Sequence, residues 1–443
     1  MASSRVQLIS RKFIKPSFST PPPRNYKLGL LDQLLYDAQI PLAFYYPNKT
    51  NNSSSPGNTT TILENSFSKI LASYYPLAGR LVDSFNIDCS EMGATLIEAQ
   101  VNCKMSEILG NPNNLSAQDA VYPKGLPWKC NEASLLVAQI SHFDCGGKAI
   151  SLCMSHKVAD AHSLCTFARD WASLAKQIKQ SGDKNQSSPS IQLNAASIFP
   201  PIEEPSFKPP ESGFFQNYKD SVTKRFVFDS SKINEMKAIV SGETGITNPT
   251  RVEVVTALLH KCVNSAASIG EPNSDNFFFL VVNMRPLMNP PIPPSYFGNL
   301  CHNFGVPFPD AQDLSFPRLA QDLTFPRFVS EIRKAKIQFY DKFKGITANE
   351  FRPEHLNFYE NMKMIKDGGS NSNIYFCSSL CRFPFHEIDF GWGVPEMTSL
   401  ETFQLKSCIV LKDDRNGGVE AFVPLRKKVM NLFEIEKESH EFV

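Results

Sequence analysis

The sequence predicts a globular protein that contains both strands and helices and is divided into domains. Its 443 residues, 42% of them hydrophobic, suffice for a sizeable core and for about two to four domains, or for one large two-domain unit. The hydrophobic period changes from two to helical spacing within 148–178, so both element types are expected. A polar and then proline-rich stretch at 180–213 suits neither helix nor central strand, and it predicts the division.

The change of period falls on a strand that is followed closely by a helix. From Lys148 to Ser155, apolar and small residues alternate, which predicts a half-buried strand. From Asp160 to Ile178, large apolar residues recur at helical spacing. His156 therefore lies between the two elements, where a side chain is held rigidly and can still face a cleft.

Charge and composition argue against several classes of partner. The formal net charge is +1, so we expect neither nucleic acid nor a membrane surface as a partner. Arg11 and Lys12 interrupt the N-terminal apolar run, so no signal peptide is expected, and no run reaches the ~20 apolar residues of a membrane span. The eleven cysteines are scattered without a CxxC pair, which predicts a reduced, cytoplasmic chain without a metal site.

The linker composition sets the expected domain boundaries. We expect an N-terminal domain over 1–180, a crossover linker over 181–220 and a C-terminal domain over 221–443.

His156 and Asp160 form an H-x-x-x-D pattern, which alone is weak evidence for a site. In a chain with eight histidines the spacing can arise by chance, and an ordinary histidine at a strand end is the default interpretation. Three further patterns change that weighting: YPLAGR at 75–80, NMR at 283–285 with YFGN at 296–299, and DFGWG at 389–393. Each alone is explicable as a turn or a strand end, but their joint occurrence in this order is not plausible by chance.

Together these patterns resemble the BAHD family of plant acyltransferases, whose hallmark pair is HxxxD and DFGWG. The resemblance runs from Leu30 to Ala421, and SHKVADA at 155–161 and RFVFD at 225–229 are most similar to the alkaloid-acetylating branch. It implies an α/β fold of two similar-sized domains, each a mixed sheet flanked by helices as in chloramphenicol acetyltransferase, with a solvent channel between them. It also implies that the segment near 389–415 packs back on the first domain.

The resemblance implies a coenzyme A-dependent O-acyltransferase. The expected reaction transfers acetyl from acetyl-CoA to a hydroxyl of a plant specialised metabolite, with an alkaloid as the expected acceptor. The acyl-CoA is then a co-substrate, no cofactor is bound permanently, and the enzyme is expected to be a monomer. Two alternatives stay open: a transferase of the same fold that uses a malonyl or hydroxycinnamoyl donor or an amine acceptor, and a non-catalytic relative that binds a ligand.

We expect His156 to act as the general base, because a neutral imidazole is well suited to take a proton from an alcohol near neutral pH. The chain has no GxSxG pattern, so a serine nucleophile has no support. A thiolate leaves readily, so no acyl-enzyme is required, and the resemblance likewise implies direct transfer. A cysteine is the most plausible competing nucleophile, since Cys153 and Cys165 lie close to His156 in the sequence. Cys153 shares the predicted strand that leads to His156, although a small buried core residue is its favoured interpretation.

Several other residues have expected supporting roles. Asp160 can cap the helix that follows it, and the resemblance implies that it points away from the cleft and pairs with Arg285. The resemblance also implies a structural role for Asp389 and its turn, which contains Gly391 and Gly393.

The segment before DFGWG departs from the family at one position. Ser378 keeps the hydroxyl that relatives often carry there, and it is a candidate contact for the oxyanion or the donor. Leu380 stands where relatives often carry Trp, so the indole N–H is absent. Candidate anchors for the coenzyme A phosphates are the basic pairs Lys224–Arg225, Arg333–Lys334 and Lys342 with Lys344, although plain solvated surface is the default for each.

Overall fold

The computed structural model describes most of the chain, as two compact units. The described residues are 5–17, 23–35, 38–48, 56–90, 93–124, 133–182, 189–204, 220–272, 274–306, 324–367, 371–401, 405 and 407–439. Unit 1 comprises Met1–Glu211, Pro293–Asn299 and Pro384–Gln404. Unit 2 comprises Ser212–Ile292, Leu300–Phe383 and Leu405–Val443.

Unit 1 contains two sheets among its described residues. Its strands are β1 (Val6–Ile14), β2 (Asn25–Lys27), β3 (Gln39–Tyr46), β4 (Arg80–Leu81), β5 (Asn86–Asp88), β6 (Ala94–Val101), β7 (Leu136–Phe143), β8 (Lys148–Ser155) and, much later in the chain, β13 (Met397–Ser399). The large sheet has the order β1-β6-β7-β8-β3-β13, and the small one has the order β2-β5-β4. Only β6 and β7 pair in parallel in the large sheet, so it is mixed.

The helices of unit 1 are α1 (Leu30–Leu34), α2 (Pro56–Ser73), α3 (Met105–Leu109), α4 (Leu115–Gln118), α5 (Ala161–Ser181) and α6 (Ala195–Ile198). The two long helices, α2 and α5, pack on each other through aromatic side chains. Phe67 lies 4.9 Å from Trp171 between ring centroids, and the indole Nε1 of Trp171 donates to Ser66 Oγ at 3.0 Å. This contact buries the apolar stripe that predicted α5, so the predicted helix is confirmed.

The strand predicted at 148–155 is present as β8, but the prediction that it is half-buried is wrong. β8 lies inside the sheet between β7 and β3, and every residue from Ala149 to Ser155 is buried. Cys153 and Ala149 face a core cluster that also contains Tyr122 and Val137. The small polar residues that suggested a solvated face are accommodated by hydrogen bonds, since Ser151 Oγ donates to the carbonyl oxygen of Val121 at 2.7 Å.

Unit 2 is built on a mixed sheet with helices on both faces. Its described strands are β9 (Ser221–Phe228), β10 (Ser274–Asn283), β11 (Cys301–Gly305), β12 (Asn371–Ser379), β14 (Cys408–Asp413) and β15 (Val419–Arg426), in the order β11-β10-β12-β14-β15-β9. Its helices are α7 (Ser230–Thr244), α8 (Arg251–Gly270), α9 (Phe325–Phe343), α10 (Ala348–Asp367) and α11 (Lys427–Ser439). The strands β10, β12 and β14 run parallel, so their carboxyl ends meet at one edge of the sheet.

Two apolar clusters hold unit 2 together. The larger one joins β9, β14 and β15 to α7, α8, α9 and α11, and it includes Phe228, Val255 and Met430. The smaller one packs Phe279 and Phe376 against Met362 of α10 on the other face of the sheet. Each unit thus has its own mixed sheet and helices, which confirms the predicted fold class.

The predicted domain boundaries stay a prediction. Within the predicted linker, 183–188 and 205–219 lie outside the described residues. Of the segment expected to return to the first domain, Pro384–Gln404 belongs to unit 1, whereas β14 belongs to the sheet of unit 2. Across the ranges that the structure describes, no helix is long and apolar enough to cross a bilayer.

Candidate active site

His156 lies where β8 ends and before α5 begins. Its backbone N–H donates to the carbonyl oxygen of Ala38 at 2.7 Å, and Val158 N–H donates to the carbonyl oxygen of Ser155 at 3.1 Å. The side chain of His156 is half-buried. A bonded strand end therefore fixes the backbone of this residue, as its position in the sequence predicts.

The imidazole of His156 is oriented by the side-chain amide of Asn299. His156 Nδ1 lies 3.1 Å from Asn299 Oδ1. At the other end of the amide, Asn299 Nδ2 donates to Asp32 Oδ1 and to the carbonyl oxygen of His156, both at 2.8 Å. Because Nδ2 has two acceptors, this bonding assigns Oδ1 to the ring, and Oδ1 can only accept. His156 Nδ1 must therefore carry the proton in the neutral ring, which leaves the lone pair on Nε2.

The orientation of Asn299 is in turn set by Asp32, which lies in α1 and is 1% exposed. Asp32 Oδ1 accepts from the backbone N–H as well as from Nδ2 of Asn299, both at 2.8 Å, and Asp32 Oδ2 accepts from Gly29 N–H at 3.0 Å. Burial raises the pKa of Asp32 to about 7, although these donors oppose the rise. The carboxylate that accepts from all three donors is thus the main form only at about neutral pH and above.

Burial also controls the protonation of His156. It lowers the pKa of this ring below the ordinary value of 6.5, because an imidazolium loses hydration on burial. Nearby backbone carbonyls, the charge of Asp160 and the Asn299 contact act in the opposite direction without cancelling the effect. The ring is therefore neutral at neutral pH, which is the form that a general base requires.

Asn299 reaches His156 as part of the segment Pro293–Asn299, which belongs to unit 1. The start of α5 holds this segment, since Ser163 Oγ donates to the carbonyl oxygen of Gly298 at 2.9 Å. The ring of Phe297 meets that of Tyr74 at 5.2 Å between centroids.

Asp160 caps the helix that follows it, as the sequence predicts. It is the N-cap residue of α5, and its Oδ1 accepts from Ser163 N–H at 2.9 Å. Asp160 is buried and belongs to unit 1, whereas Arg285 is buried in unit 2. The pairing of these two residues stays a prediction.

The DFGWG pattern forms a turn that is anchored on α5. Asp389 Oδ1 accepts from the N–H groups of Gly391 and Gly393, each at 2.8 Å, and Asp389 Oδ2 accepts from Lys176 Nζ at 2.7 Å. Burial alone would raise the pKa of Asp389, but these bonds hold it below its usual value. Gly391 and Gly393 have φ of 96° and 105°, which a side chain would strain. Trp392 stacks on Phe390 at 5.7 Å between centroids, so the turn has the features of a structural clamp.

Ser378 and Leu380 lie at the carboxyl end of β12 in unit 2. Ser378 is half-buried, and Leu380 is 8% exposed with its N–H donating to the carbonyl oxygen of Leu411 at 2.7 Å. The role of Ser378 at the oxyanion stays a prediction.

Comparison with known proteins identifies the family of the chain. A family model described as the Transferase family matches residues 4–440. The chain belongs to this family, known as BAHD. It is 37% identical to diaboline synthase from a Strychnos species over 98% of this chain and 91% of the relative. It is 36% identical to 17,18-epoxy-17-hydroxycur-19-ene N-malonyltransferase from Strychnos nux-vomica over 99% of this chain and 90% of the relative.

A solved structure shows the same fold. The crystal structure of vinorine synthase superposes with a TM-score of 0.78 at 30% identity, covering 98% of both chains; the curated sequence of that name is from Rauvolfia serpentina. The protein is therefore a coenzyme A-dependent acyltransferase of the BAHD family.

The basic pairs suggested as phosphate anchors in this BAHD chain are mostly engaged with carboxylates. Arg225 lies 2.8 Å from Glu420, Lys224 and Lys342 each lie 2.6 Å from a glutamate, and Arg333 pairs with Glu253. Neighbouring carboxylates reduce the attraction of these cations for a phosphate, so they are weak candidates.

A different basic cavity lies within unit 2 and was not suggested by the sequence. Its volume is about 700 Å³, and it surrounds the N-terminus of the 20-residue helix α8. Four cationic side chains of the described part of the chain line it: Lys237, Arg251, Lys336 and Arg382. Arg251 pairs with Asp413 at 2.6 Å and Lys336 lies 3.5 Å from Glu253, whereas Lys237 and Arg382 take part in no ion pair among the described residues. These residues come from separate elements, so no run of charge in the sequence marks the cavity.

Cys153 is a poor nucleophile in this setting. It is 1% exposed, and burial raises the pKa of its thiol well above the usual value. The reactive thiolate is therefore scarce at neutral pH.

Gln39 is a polar residue beside His156 that the sequence did not reveal. It begins β3 and pairs in register with Ser155, the residue that precedes His156. Gln39 is buried, and its Oε1 accepts no hydrogen bond from a described residue.

Replacing Asn299 by Leu should impair both catalysis and stability. The Asn299→Leu variant loses the acceptor that fixes the ring of His156, so we expect kcat to fall roughly a hundredfold. Loss of one donor to Asp32 should also cost about 1–3 kcal/mol of stability. The measurements are steady-state kinetics and thermal unfolding. Asn276→Leu is the matched control, because it removes a buried amide pair with Asn264 in unit 2; it should lower Tm without a comparable loss in kcat. Equal kcat values for parent and Asn299→Leu would contradict this role.

Proposed function

We propose that this BAHD enzyme transfers acetyl from acetyl-CoA to a hydroxyl of a plant specialised metabolite, with an alkaloid as acceptor. The observation that carries the proposal is the neutral His156 ring, whose proton is assigned to Nδ1 by Asn299. Nε2 is then a base for a hydroxyl proton. The motif wording at 155–161 and 225–229 supports the acetyl donor and the alkaloid acceptor.

The proposed reaction is direct transfer. His156 Nε2 takes the proton as the hydroxyl oxygen attacks the thioester carbonyl. The tetrahedral intermediate then expels the coenzyme A thiolate, which His156 can reprotonate. Ser378 is proposed as a donor to the oxyanion or a contact to the acyl donor. Asp160, Arg285, Asp389, Gly391 and Gly393 are proposed to support the site without entering the chemistry.

A second candidate differs only in donor or acceptor. The relative named as an N-malonyltransferase favours a malonyl donor or an amine acceptor as this alternative. Parallel assays with acetyl-CoA and malonyl-CoA against panels of alcohols and amines distinguish the two. A cytoplasmic, monomeric enzyme is proposed in either case, and the scattered cysteines support the cytoplasmic location.

The rate of acyl transfer should depend on the side chain of His156 and on its protonation. His156→Ala should lower kcat by about 10²–10⁴ while the protein stays folded, because only general-base catalysis is lost.

In the parent enzyme, kcat/KM should fall as the pH is lowered through about 7, where Asp32 takes up a proton. It should fall again below pH 6.5, where His156 takes up a proton. Both active forms are deprotonated, so activity is lost on the acid side. A pH–rate profile and circular dichroism measure these effects, and an unchanged rate in His156→Ala would exclude the mechanism.

Direct transfer predicts that no acetyl group is left on the protein. Enzyme mixed with acetyl-CoA alone should keep its intact mass, and initial-rate plots with both substrates should intersect. The buried, protonated thiol of Cys153 supports this expectation. A stoichiometric acetyl adduct that disappears on adding acceptor would show a covalent route instead.

The basic cavity of unit 2 is proposed to hold the phosphate groups of the acyl-CoA. A helix N-terminus with nearby cations attracts phosphate, and Lys237 and Arg382 have no ion-pair partner among the described residues that would compete for them. The basic pairs along the sequence indicate other positions, because pairing with carboxylates is not visible in a sequence.

Removing these cations should weaken binding of the donor alone. The variants Lys237→Ala and Arg382→Ala should each raise KM for acyl-CoA about tenfold or more, because a charge-assisted hydrogen bond is lost. KM for the acceptor should stay unchanged. Lys334→Ala is the control, since Lys334 is exposed and lies 3.9 Å from Glu331. An unaltered KM for acyl-CoA in both cavity variants would place the phosphates elsewhere.

A further inference from the structure

A second cavity in unit 2 lies at the edge of its sheet, where β11 is the last strand. Its volume is about 470 Å³, within the range of small-molecule sites. Side chains from β10, β11, α9 and α10 line it, so its described lining residues all belong to unit 2.

The walls of this edge cavity are largely aromatic. Five phenylalanines contribute to the lining: Phe279, Phe304, Phe339, Phe343 and Phe358. Their rings already pack on each other, with Phe339 at 4.6 Å from Phe343 and at 5.2 Å from Phe304 between centroids. Rings held at these distances form preformed faces on which a flat apolar molecule can stack or pack edge-on.

A buried histidine places hydrogen-bonding capacity in this apolar cavity. His302 lines the cavity and is 4% exposed. Its Nδ1 lies 3.1 Å from Nδ1 of His355, and it makes no other hydrogen bond within the described residues. Nε2 of His302 has no hydrogen-bond partner among the described residues, so it is open to the polar group of a ligand that enters the cavity.

The two histidines are neutral, so the pair can bond to a ligand group that donates a hydrogen bond or to one that accepts it. Burial lowers the pKa of His302 well below its usual value and that of His355 to about 4. One Nδ1 must then donate and the other accept. If His302 Nδ1 donates, its Nε2 offers a lone pair to a hydroxyl; if it accepts, its Nε2 offers an N–H to a carbonyl.

The charges of the ionised residues that line the cavity cancel each other. Lys342 and Glu354 both line it, and they pair with each other at 2.6 Å. The remaining polar lining consists of amides, such as Asn303, Gln338 and Asn361. No uncompensated charge among the described lining residues thus favours an ionic ligand.

We propose that this edge cavity binds a neutral small molecule with a flat apolar ring system and one hydroxyl or carbonyl group, which bonds to His302. The aromatic walls take the ring system, and the histidine selects molecules that carry the polar group. This site goes beyond acyl transfer, and its existence does not depend on the reaction of His156.

Calorimetric titration with 2-naphthol and with naphthalene tests the site, because the two probes differ only in the hydroxyl. The parent enzyme should bind 2-naphthol about tenfold more tightly than naphthalene, the effect expected for one added hydrogen bond. His302→Phe keeps a ring of similar size and should abolish this difference. His386→Phe makes the same change at an exposed residue of unit 1 and should preserve it.

Two further variants locate the bound probe. Ala335→Leu adds bulk at a buried lining residue and should weaken both probes about tenfold or more, which tests the cavity even if His302→Phe does not fold. His156→Ala should leave binding of 2-naphthol unchanged. The proposal is overturned if the parent binds neither probe, if it binds both equally, if Ala335→Leu has no effect, or if His156→Ala alone removes binding.

Discussion

The fixed amide of Asn299 is the interaction on which the candidate active site depends. An amide has a donor end and an acceptor end of almost the same shape, so its direction is decided by its partners. Asp32 accepts from the donor end, and this leaves the acceptor end for His156. One buried carboxylate thereby decides which nitrogen of the imidazole keeps its lone pair. The nitrogen proposed as the base is thus selected by a chain of hydrogen bonds that runs from Asp32 through Asn299 to His156.

The surrounding structure serves to hold the members of this chain in place. β8 ends immediately before His156, and Asp160 starts α5 four residues later. The same helix anchors the DFGWG turn through Lys176, and Ser163 at its first turn bonds the segment that carries Asn299. α5 therefore joins three stretches of chain that are remote in sequence. Its buried Trp171 contact with α2 fixes the helix itself.

Patterns in the sequence predict the features that depend on residues close together in the chain. The alternation at 148–155, the helical spacing after Asp160 and the cap at its start each depend on residues within one or two turns, and all are present. The burial of β8 was predicted wrongly, because the second face of a strand is covered by elements that its own sequence does not contain. The partner of His156 is 143 residues away, and the YFGN pattern at 296–299 does not indicate that its asparagine contacts this histidine. Ion pairing with carboxylates likewise decides which basic side chains remain available for a phosphate. The positions of charged residues along the sequence do not reveal these pairs.

The composition of unit 1 has a consequence for the order in which the protein becomes active during synthesis. The unit draws on Met1–Glu211, on Pro293–Asn299 and on Pro384–Gln404. A ribosome therefore releases Asp32 and His156 long before it releases the asparagine that connects them. Until residue 299 has emerged, the carboxylate of Asp32 has neither of the donors that Asn299 supplies, and burying it would be costly. A chain cut at the linker would therefore lack both the amide of Asn299 and the turn at 389–393 that is anchored on α5.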